Sequence, residues 1–443
     1  MSERDGFLDP VTSAGVFDFD TLKVHAGYDP ADHHGATSVP VYETAAFGLG
    51  SPERAQRLFT FQECHPTYSR TANPTVGVLE SRLAALHGVP GAVAVASGMA
   101  AVSYALLNAV GASGRVLSIY QLYGGTLDAF ASLFPQFAVD FDAVEDPTDL
   151  TEFARRLTPE TKCIFIESIT NPLATVLDIE GIAAIAHEHG IPLIVDNTIA
   201  TPWLLNPFEF GADVVVYSAT KALAGHGNAL AGVILESGDF DYANGRFPHF
   251  TERLWAFRNA EDEPRSILEV SPRTPFVGRV RNVLLNYLGA TLGAFDAWLV
   301  LLGIDTLSER VHKQCESTKR LIEYLRTEPL VDRILHPSCG SADADLVKKY
   351  LPRGEGSVLS FSFKGSRQQQ QRFLESLRVF IYQANIGDAR SLIIDPALTT
   401  HNELTPAQRE KLGLGLSTIR ISVGLENPCD LIADLRQAFA AVR

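Results

Sequence analysis

Short apolar runs and amphipathic stretches alternate along the chain from about residue 73 to residue 217. Each apolar run is five or six residues long and most are rich in β-branched residues, which is typical of a buried strand. The predicted strands cover residues 92–96, 115–120, 137–141, 162–167, 191–196 and 213–217. Because helical patterns lie between these runs, we predict an α/β fold with a mostly parallel sheet and helices on both faces.

Start and stop signals place several helices between the strands. Asn73-Pro74 combines a favoured N-cap with proline at the first helical position, and Gly88 is a typical helix end. Ser97-Gly98 opens a second helix directly after a strand. Two more are predicted, one starting at Asp146-Pro147 and one over residues 178–190.

The remaining segments suggest three parts. Residues 1–72 show little periodicity, and we expect them to form an arm that contacts a neighbouring surface. Residues 73–285 hold the sheet, and they end in a long irregular loop or lid at 237–280. Residues 286–443 are predicted to form a smaller C-terminal α/β domain. It is introduced by a linking helix over residues 286–326 and contains strands near residues 357–363 and 420–423.

Composition narrows the class of protein. The chain has 443 residues, of which 46% are hydrophobic, and a formal net charge of −15, which argues against nucleic acid or an anionic membrane as the main partner. The first ten residues lack the apolar core of a signal peptide, and no apolar run reaches the length of a membrane span. Five scattered cysteines without CxxC spacing indicate reduced thiols and no metal site. We therefore expect a cytoplasmic protein.

Candidate chemistry follows the predicted strands. Parallel sheets bind ligands at the carboxyl ends of their strands, so side chains that follow different strands should meet at one edge. The candidates at this edge are Ser97, Gly98, Tyr123, Asn171, Asp196, Ser218, Thr220 and Lys221.

Lys221 is the only basic residue in the stretch from Gly211 to Leu235, and its neighbours are small. Burial among such residues favours the neutral amine, which can attack a carbonyl and form a Schiff base. The hydroxyls of Ser218 and Thr220 are suitable donors to a phosphate. A loop lysine that reaches solvent, with the hydroxyls as turn formers, is the alternative.

Together these residue types suit pyridoxal 5′-phosphate. The cofactor needs a lysine for its aldehyde, a carboxylate such as Asp196 for its ring nitrogen, an aromatic ring such as Tyr123 to stack on it, and a helix start such as Ser97-Gly98 for its phosphate. A dinucleotide or ATP site is disfavoured, because neither G-x-G-x-x-G nor the Walker pattern is present.

Two arginines leave alternatives open. Tyr68 and Arg70 end the irregular arm and suit a phosphate or carboxylate, but a surface arginine is as consistent with the tripeptide. Arg420 lies inside an apolar strand and needs an anionic partner, either a substrate carboxylate or an internal carboxylate.

The chain resembles the pyridoxal-phosphate enzymes of Cys/Met metabolism, which have the fold-type I architecture with a seven-stranded sheet. The likeness runs from about Lys23 to the end and preserves the order of the family's motifs. It is carried by Tyr68-Ser69-Arg70, Asn73-Pro74-Thr75, Ala96-Ser97-Gly98-Met99-Ala100, Leu122-Tyr123-Gly124-Gly125-Thr126, Glu167-Ser168 with Asn171-Pro172, Val195-Asp196-Asn197-Thr198, Ser218-Ala219-Thr220-Lys221 and Arg420-Ile421-Ser422-Val423-Gly424.

The resemblance implies a role for each matched residue. Lys221 is the Schiff-base lysine and proton shuttle, Asp196 the partner of the ring nitrogen, and Tyr123 the stacking ring and acid/base near the leaving group. Further implied cofactor contacts are Ser97, Gly98, Met99, Asn171, Ser218 and Thr220. Implied substrate contacts are Arg420, Asn385 and Tyr68. Tyr68 and Arg70 also reach the phosphate of a neighbouring subunit, which implies a dimer of active dimers.

Three features resemble the O-acetylhomoserine sulfhydrylase branch of the family: the long segment 240–279, the run 384–392, and Thr399-Thr400-His401. Gly125 stands where methionine γ-lyases usually carry cysteine. The implied reaction is γ-replacement, in which acetate leaves an activated homoserine and sulfide or a thiol is added, as in methionine biosynthesis. A γ-lyase that releases ammonia and a 2-oxo acid is the alternative, and a cofactor-free binding protein a third reading.

Four positions depart from the family pattern. Ala222 follows the lysine where an aromatic residue is usual, and Ala231 replaces a common glycine. Asp395 and Leu398 stand where His and Ser are expected. These departures leave the nucleophile and the leaving group open, and we hypothesise that the pocket accepts a nucleophile other than sulfide.

Overall fold

The computed structural model describes residues 16–340, 343–402 and 404–443. The first 15 residues of the predicted arm therefore lie outside the described residues. Among those described, no helix is both long enough and apolar enough to cross a membrane. The α-helices, α1 to α18 in chain order, are Phe19–His25, Pro52–Phe59, Pro74–His87, Gly98–Val110, Gly124–Ser132, Leu150–Arg156, Ile179–Glu188, Thr201–Leu204, Pro248–Thr251, Ile267–Val270, Pro275–Arg279, Asn286–Leu288, Ala294–Ile304, Leu307–Leu325, Ala344–Tyr350, Arg367–Ser376, Pro406–Leu412 and Pro428–Ala440.

A seven-stranded sheet forms the centre of the larger part of the molecule. Its strands, β1 to β7, are Gly91–Val95, Gly114–Ile119, Val139–Val144, Thr161–Glu167, Leu193–Asp196, Val214–Ser218 and Gly232–Glu236. They lie in the order β1-β7-β6-β5-β4-β2-β3. Six strands run parallel, and β7 is inserted antiparallel between β1 and β6. The predicted fold class is confirmed.

The apolar residues of the central strands are completely buried, and this burial stabilises the sheet. Cys163 to Ile166 on β4 and Val214 to Val216 on β6 have no exposed surface. Helices pack on both faces of the sheet, as strands buried on two sides require. Helix α3 begins and ends where predicted, because the Asn73 side chain accepts the Thr75 N–H and Gly88 adopts a left-handed φ of 69°.

Two predicted elements between the strands begin elsewhere. Asp146 does not open a helix, because its carboxylate accepts the N–H of Thr148 in a local turn. Helix α6 begins after Asp149, whose carboxylate accepts the Thr151 N–H. Strand β3 starts two residues later than predicted, since a 3-10 turn occupies Phe134–Phe137.

The segment 237–280, predicted to be an irregular loop or lid, lacks regular structure over most of its length but includes short helices. It contains helices α9, α10 and α11 and a 3-10 turn at Trp255–Phe257. Because β7 is antiparallel, the segment starts at the amino-terminal edge of the parallel strands, away from their carboxyl ends. Glu236, the last residue of β7, accepts the N–H groups of Phe276 and Val277 and ties the segment to this edge.

A second sheet of five strands lies in the C-terminal part. Its strands, β8 to β12, are Val331–Leu335, Val358–Phe363, Ile381–Tyr382, Leu392–Ile394 and Thr418–Ser422, in the order β10-β11-β12-β9-β8. The linking helix predicted over residues 286–326 is interrupted twice. Gly289 ends α12 with a φ of 78°, and α13 and α14 are separated at Asp305 and Thr306.

Candidate active site

A cavity of about 280 Å³ opens at the carboxyl edge of the large sheet, where the second sheet faces it. Its volume is close to the lower end of the range for small-molecule sites. Ten of the predicted site residues line it together: Ser97, Gly98, Met99, Tyr123, Asn171, Asp196, Ser218, Thr220, Lys221 and Arg420. The structure does not bring Tyr68, Arg70 or Asn385 into this lining.

Lys221 lies in the turn that follows β6, and its amine points toward the second sheet. Its Nζ donates a hydrogen bond to Oδ1 of Asn385 at 2.6 Å. Burial, and then the positive charge of Arg420, lower the pKa of Lys221 to about 8. The alternative of a lysine that extends into solvent is wrong, and the lowered pKa makes the neutral amine more available near neutral pH than that of an ordinary lysine.

Asp196 ends β5 and is half-buried in the cavity wall, beside the buried carboxylate of Glu167 at the end of β4. The two residues are paired in the parallel register of their strands. Burial raises the pKa of Asp196, although Thr198 donates its N–H to Oδ1 at 2.9 Å. Burial and the nearby Asp196 raise the pKa of Glu167. A cation placed at Asp196 would offset this repulsion.

The start of α4 provides an anion site. The Ser97 hydroxyl accepts the Ala100 N–H at 3.1 Å, which leaves the first two helical amides, of Gly98 and Met99, without an intrahelical acceptor. Gly98 allows the helix end to approach β6, because a Cβ there would lie 2.5 Å from Cβ of Ser218. Two backbone amides are therefore available to an anion at this helix start, where a phosphate site was predicted.

Thr220 is partly engaged elsewhere. Its Oγ1 accepts the N–H of Ala231 at 3.0 Å and lies 3.3 Å from the carbonyl of the same residue. Its hydroxyl proton is donated to that carbonyl and reaches an anion only if the hydroxyl rotates; Ser218 and Thr220 both line the cavity.

Arg420 extends from β12 into the cavity wall and is only 2% exposed. Its guanidinium donates to Oδ1 of Asn171 at 3.1 Å and to the carbonyls of Ala384 and Asn385 at 3.3 Å. No carboxylate within the described ranges forms an ion pair with it, and burial lowers the pKa of Arg420 to about 10. The internal salt bridge considered from the sequence is therefore wrong for the described residues.

Two further residues, Glu167 and His401, contact the loops of the site but were not among the predicted site residues. Glu167 accepts two backbone N–H groups, from Tyr123 at 2.5 Å and from Asn171 at 3.0 Å. His401 is buried, and its Nε2 lies 3.2 Å from the carbonyl of Asn171 and 3.3 Å from that of Leu122. Burial and Arg420 lower the pKa of His401 to about 4, so it acts as a neutral donor. A glutamate ending an apolar strand was the available sequence signal for the first of them.

Tyr68 and Arg70 lie outside the cavity on the surface of the chain. Both side chains are exposed, and the Arg70 guanidinium lies 5.2 Å from the centre of the Tyr68 ring. Two departures from the expected motifs also lie outside. Asp395 is buried and forms an ion pair with Arg367 at 2.8 Å, whereas Leu398 is largely exposed.

Comparison with known proteins decides the family. The family model described as Cys/Met metabolism PLP-dependent enzyme matches residues 20–440. The chain belongs to this family.

Members of the Cys/Met metabolism family with known names match along their whole length. The O-acetyl-L-homoserine sulfhydrylase of Corynebacterium glutamicum is 38% identical over 97% of this chain and 99% of its own. The homocysteine synthase of Schizosaccharomyces pombe is 37% identical over 95% of this chain and 97% of its own. A solved candidate O-acetylhomoserine (thiol)-lyase from Campylobacter jejuni, which contains N′-pyridoxyl-lysine-5′-monophosphate, has a TM-score of 0.89 and 36% identity and covers 96% of this chain and 100% of its own.

The residues of this Cys/Met metabolism family member fit the family's cofactor, pyridoxal 5′-phosphate. Lys221 offers an amine with a lowered pKa, and Asp196 a half-buried carboxylate that forms no ion pair with any described cationic side chain. The α4 amides and the Ser218 hydroxyl offer a phosphate site, and the Tyr123 ring borders the space between them. When bound, the cofactor supplies an electron-withdrawing ring that stabilises negative charge on the substrate carbons.

Proposed function

We propose that this chain catalyses γ-replacement on O-acetyl-L-homoserine. The Cγ–O bond breaks and its electron pair leaves with acetate. A C–S bond to sulfide or a thiol forms at the same carbon, giving homocysteine or a related amino acid. The reaction is supported by the names of the full-length relatives from Corynebacterium glutamicum and Schizosaccharomyces pombe.

One observation supports an amino-acid substrate most directly. Arg420 is a buried guanidinium that shares the cavity with Lys221 and has no carboxylate partner within the described ranges. A substrate α-carboxylate supplies the missing anion in the geometry that a guanidinium prefers. With the carboxylate held there, the substrate's Cα lies on the Lys221 side of the cavity, where a neutral amine is able to accept its proton.

Tyr123 is suited to the leaving-group end of the substrate. Its ring lies over Gly125, where a Cβ would approach the ring to 2.7 Å. Tyr123 also lines the cavity, and its phenol is proposed to give a proton to the departing acetate. Asn385 accepts a hydrogen bond from Lys221 and one from Arg420, so it links the proton-transfer residue to the proposed carboxylate site.

Steady-state assays test the reaction and its nucleophile. We expect acetate release from O-acetyl-L-homoserine that depends on an added nucleophile, followed with sulfide and a panel of organic thiols. Release of a 2-oxo acid and ammonia without any nucleophile would favour the γ-lyase alternative. A preference for sulfide over every thiol would reject the hypothesis of a different nucleophile. That hypothesis is weakened because Asp395 and Leu398 do not line the cavity.

We also propose that the site is completed by a neighbouring subunit, in a dimer of active dimers. Tyr68 and Arg70 are exposed and outside the cavity of their own chain, which is consistent with a role in a partner's phosphate and substrate site. The proposed parts are an arm at 1–72, a cofactor-binding domain at 73–285 and a C-terminal domain at 286–443. A cytoplasmic location remains part of this proposal.

A further inference from the structure

Glu167 is a buried carboxylate in the cavity wall that the proposed reaction does not use. It is the last residue of β4 and is 6% exposed. Its Oε1 accepts the backbone N–H of Tyr123, and its Oε2 accepts that of Asn171. These two residues belong to the loops that follow β2 and β4. Glu167 therefore connects two loops at the edge of the sheet, the same two whose carbonyls, of Leu122 and Asn171, lie against Nε2 of His401.

Hydrogen bonds to His401 and between Thr170 and Gln121 also join the two loops, but among the described residues Glu167 alone accepts the N–H groups of Tyr123 and Asn171. Tyr123 is the N-cap residue of α5 but forms no side-chain cap, and within the described ranges its phenol has no hydrogen-bond partner. The position of its ring therefore depends on its backbone. The Asn171 side chain accepts a hydrogen bond from Arg420 at 3.1 Å, so the Asn171 backbone also determines where this guanidinium is held.

A carboxylate on Glu167, at the end of β4, destabilises the folded state. Glu167 and Asp196 are register partners, and each negative charge disfavours the other in a buried environment. An apolar residue at the end of β4 would avoid that repulsion but would leave the N–H groups of Tyr123 and Asn171 unpaired.

We propose that Glu167 is a positioning residue that fixes the Tyr123 ring and the Asn171–Arg420 pair by accepting both backbone N–H groups. It acts through these residues and does not touch the reacting atoms. Its effect on turnover rests on the proposed function, whereas its effect on the bound cofactor does not.

The test compares Glu167→Gln with Glu236→Gln in the holoenzyme. Glu236 is a matched control, because it is also buried at the end of a strand and accepts two backbone N–H groups, from Phe276 at 3.0 Å and Val277 at 2.9 Å. It lies at the opposite edge of the sheet, away from the cavity. In both variants an amide NH₂ replaces one acceptor oxygen. Stability, visible circular dichroism of the cofactor, the cofactor Kd, kcat and KM are measured for each.

We expect Glu167→Gln to reduce the visible circular dichroism and weaken cofactor affinity about tenfold, since one of the two N–H groups loses its acceptor. We expect kcat to fall on the order of 10²-fold, with a much smaller change in KM, because misplaced groups lose productive alignment. Glu236→Gln should lower stability but leave these values within about twofold of wild type.

The proposal is overturned if the two variants match in circular dichroism, cofactor affinity and kcat. If the wild type does not process O-acetyl-L-homoserine, the proposed function fails, and circular dichroism and cofactor affinity still decide the role of Glu167. If Glu167→Gln does not fold, Glu167→Asp replaces it against Glu236→Asp. The aspartate keeps the charge but is too short to reach both amides, so the same differences are expected.

Discussion

At the scale of single residues, the site contains charged side chains that have no partner of opposite charge among the described residues. Arg420 has a guanidinium but no carboxylate within the described ranges, and Asp196 has a carboxylate beside Glu167 but no cation. Lys221 lies near enough to Arg420 for its pKa to be lowered. Folding such groups costs free energy, and ligands that bring the missing charges recover it. These residues are therefore matched to an anionic substrate group and a cationic ring.

The rate at which the cofactor-free enzyme takes up pyridoxal 5′-phosphate should rise with pH. The inflection should lie at about 8, the pKa of Lys221. The neutral amine reacts, and the lowered pKa makes it available below the ordinary pKa of lysine, 10.5. Stopped-flow absorbance across a pH series measures the inflection. Arg420→Gln removes the neighbouring positive charge and should move it upward. An inflection near 10.5 in the wild type would contradict the assignment.

Arg420→Gln should also weaken use of the substrate. Removing one partner of a buried charged pair typically costs about 2 kcal/mol or more, so kcat/KM for O-acetyl-L-homoserine should fall at least about 30-fold. Steady-state kinetics measure it, with Arg367→Gln as control. Arg367 pairs with Asp395 outside the cavity, so this variant should keep its kcat/KM. Equal losses in both variants would argue against a carboxylate site at Arg420.

At the scale of elements, the sequence predicted where single strands and helices lie better than it predicted how the strands pair. The apolar runs located β4 and β6 to within one residue, and Asn73-Pro74 with Gly88 located α3, because these signals reside in neighbouring residues. Strand β7 was not identified, although its sequence is apolar, since its place between β1 and β6 depends on distant strands. A glutamate ending an apolar strand was visible in the sequence, but its bond to the Tyr123 N–H, 44 residues away, could not be predicted because it depends on how the strands are placed side by side.

Close packing of α4 against the end of β6 should be required for phosphate binding. A Cβ at position 98 would lie 2.5 Å from Ser218, so Gly98→Ala must displace the helix start and should weaken cofactor binding at least about tenfold. Gly77→Ala in α3 is the control. A Cβ there has open space, and the change should stabilise the helix by about 0.5–1 kcal/mol. Fluorescence titration with the cofactor compares them. Unchanged affinity in Gly98→Ala would contradict the anion site.

At the scale of the whole molecule, one chain contains most of the proposed site but not all of it. Ten predicted residues line the cavity, whereas Tyr68 and Arg70 lie outside it. Sequence spacing did not predict this position, whereas the resemblance did, because it assigns both residues to the site of a neighbouring subunit. The arrangement is consistent with two-fold symmetry, in which each chain gives these residues to its partner.

Refolding a mixture of two inactive variants tests whether each chain gives Arg70 to the site of its partner. Lys221→Ala and Arg70→Ala should each lose most activity, because one lacks the amine and the other a phosphate contact of its partner. Unfolding and refolding them together should restore about a quarter of wild-type activity, since half of randomly assorted dimers carry one intact site. Each variant refolded alone is the control. No recovery in verified mixed dimers would show that Arg70 serves its own chain.

The most direct test is to find which residue carries the cofactor. The purified holoenzyme is reduced with borohydride, digested and analysed by peptide mass spectrometry, with Lys221→Ala treated in parallel. We predict a phosphopyridoxyl group on Lys221 alone, and no borohydride-sensitive visible absorbance in the variant. A label on another lysine, or a reducible chromophore that persists in Lys221→Ala, would contradict this account of the site.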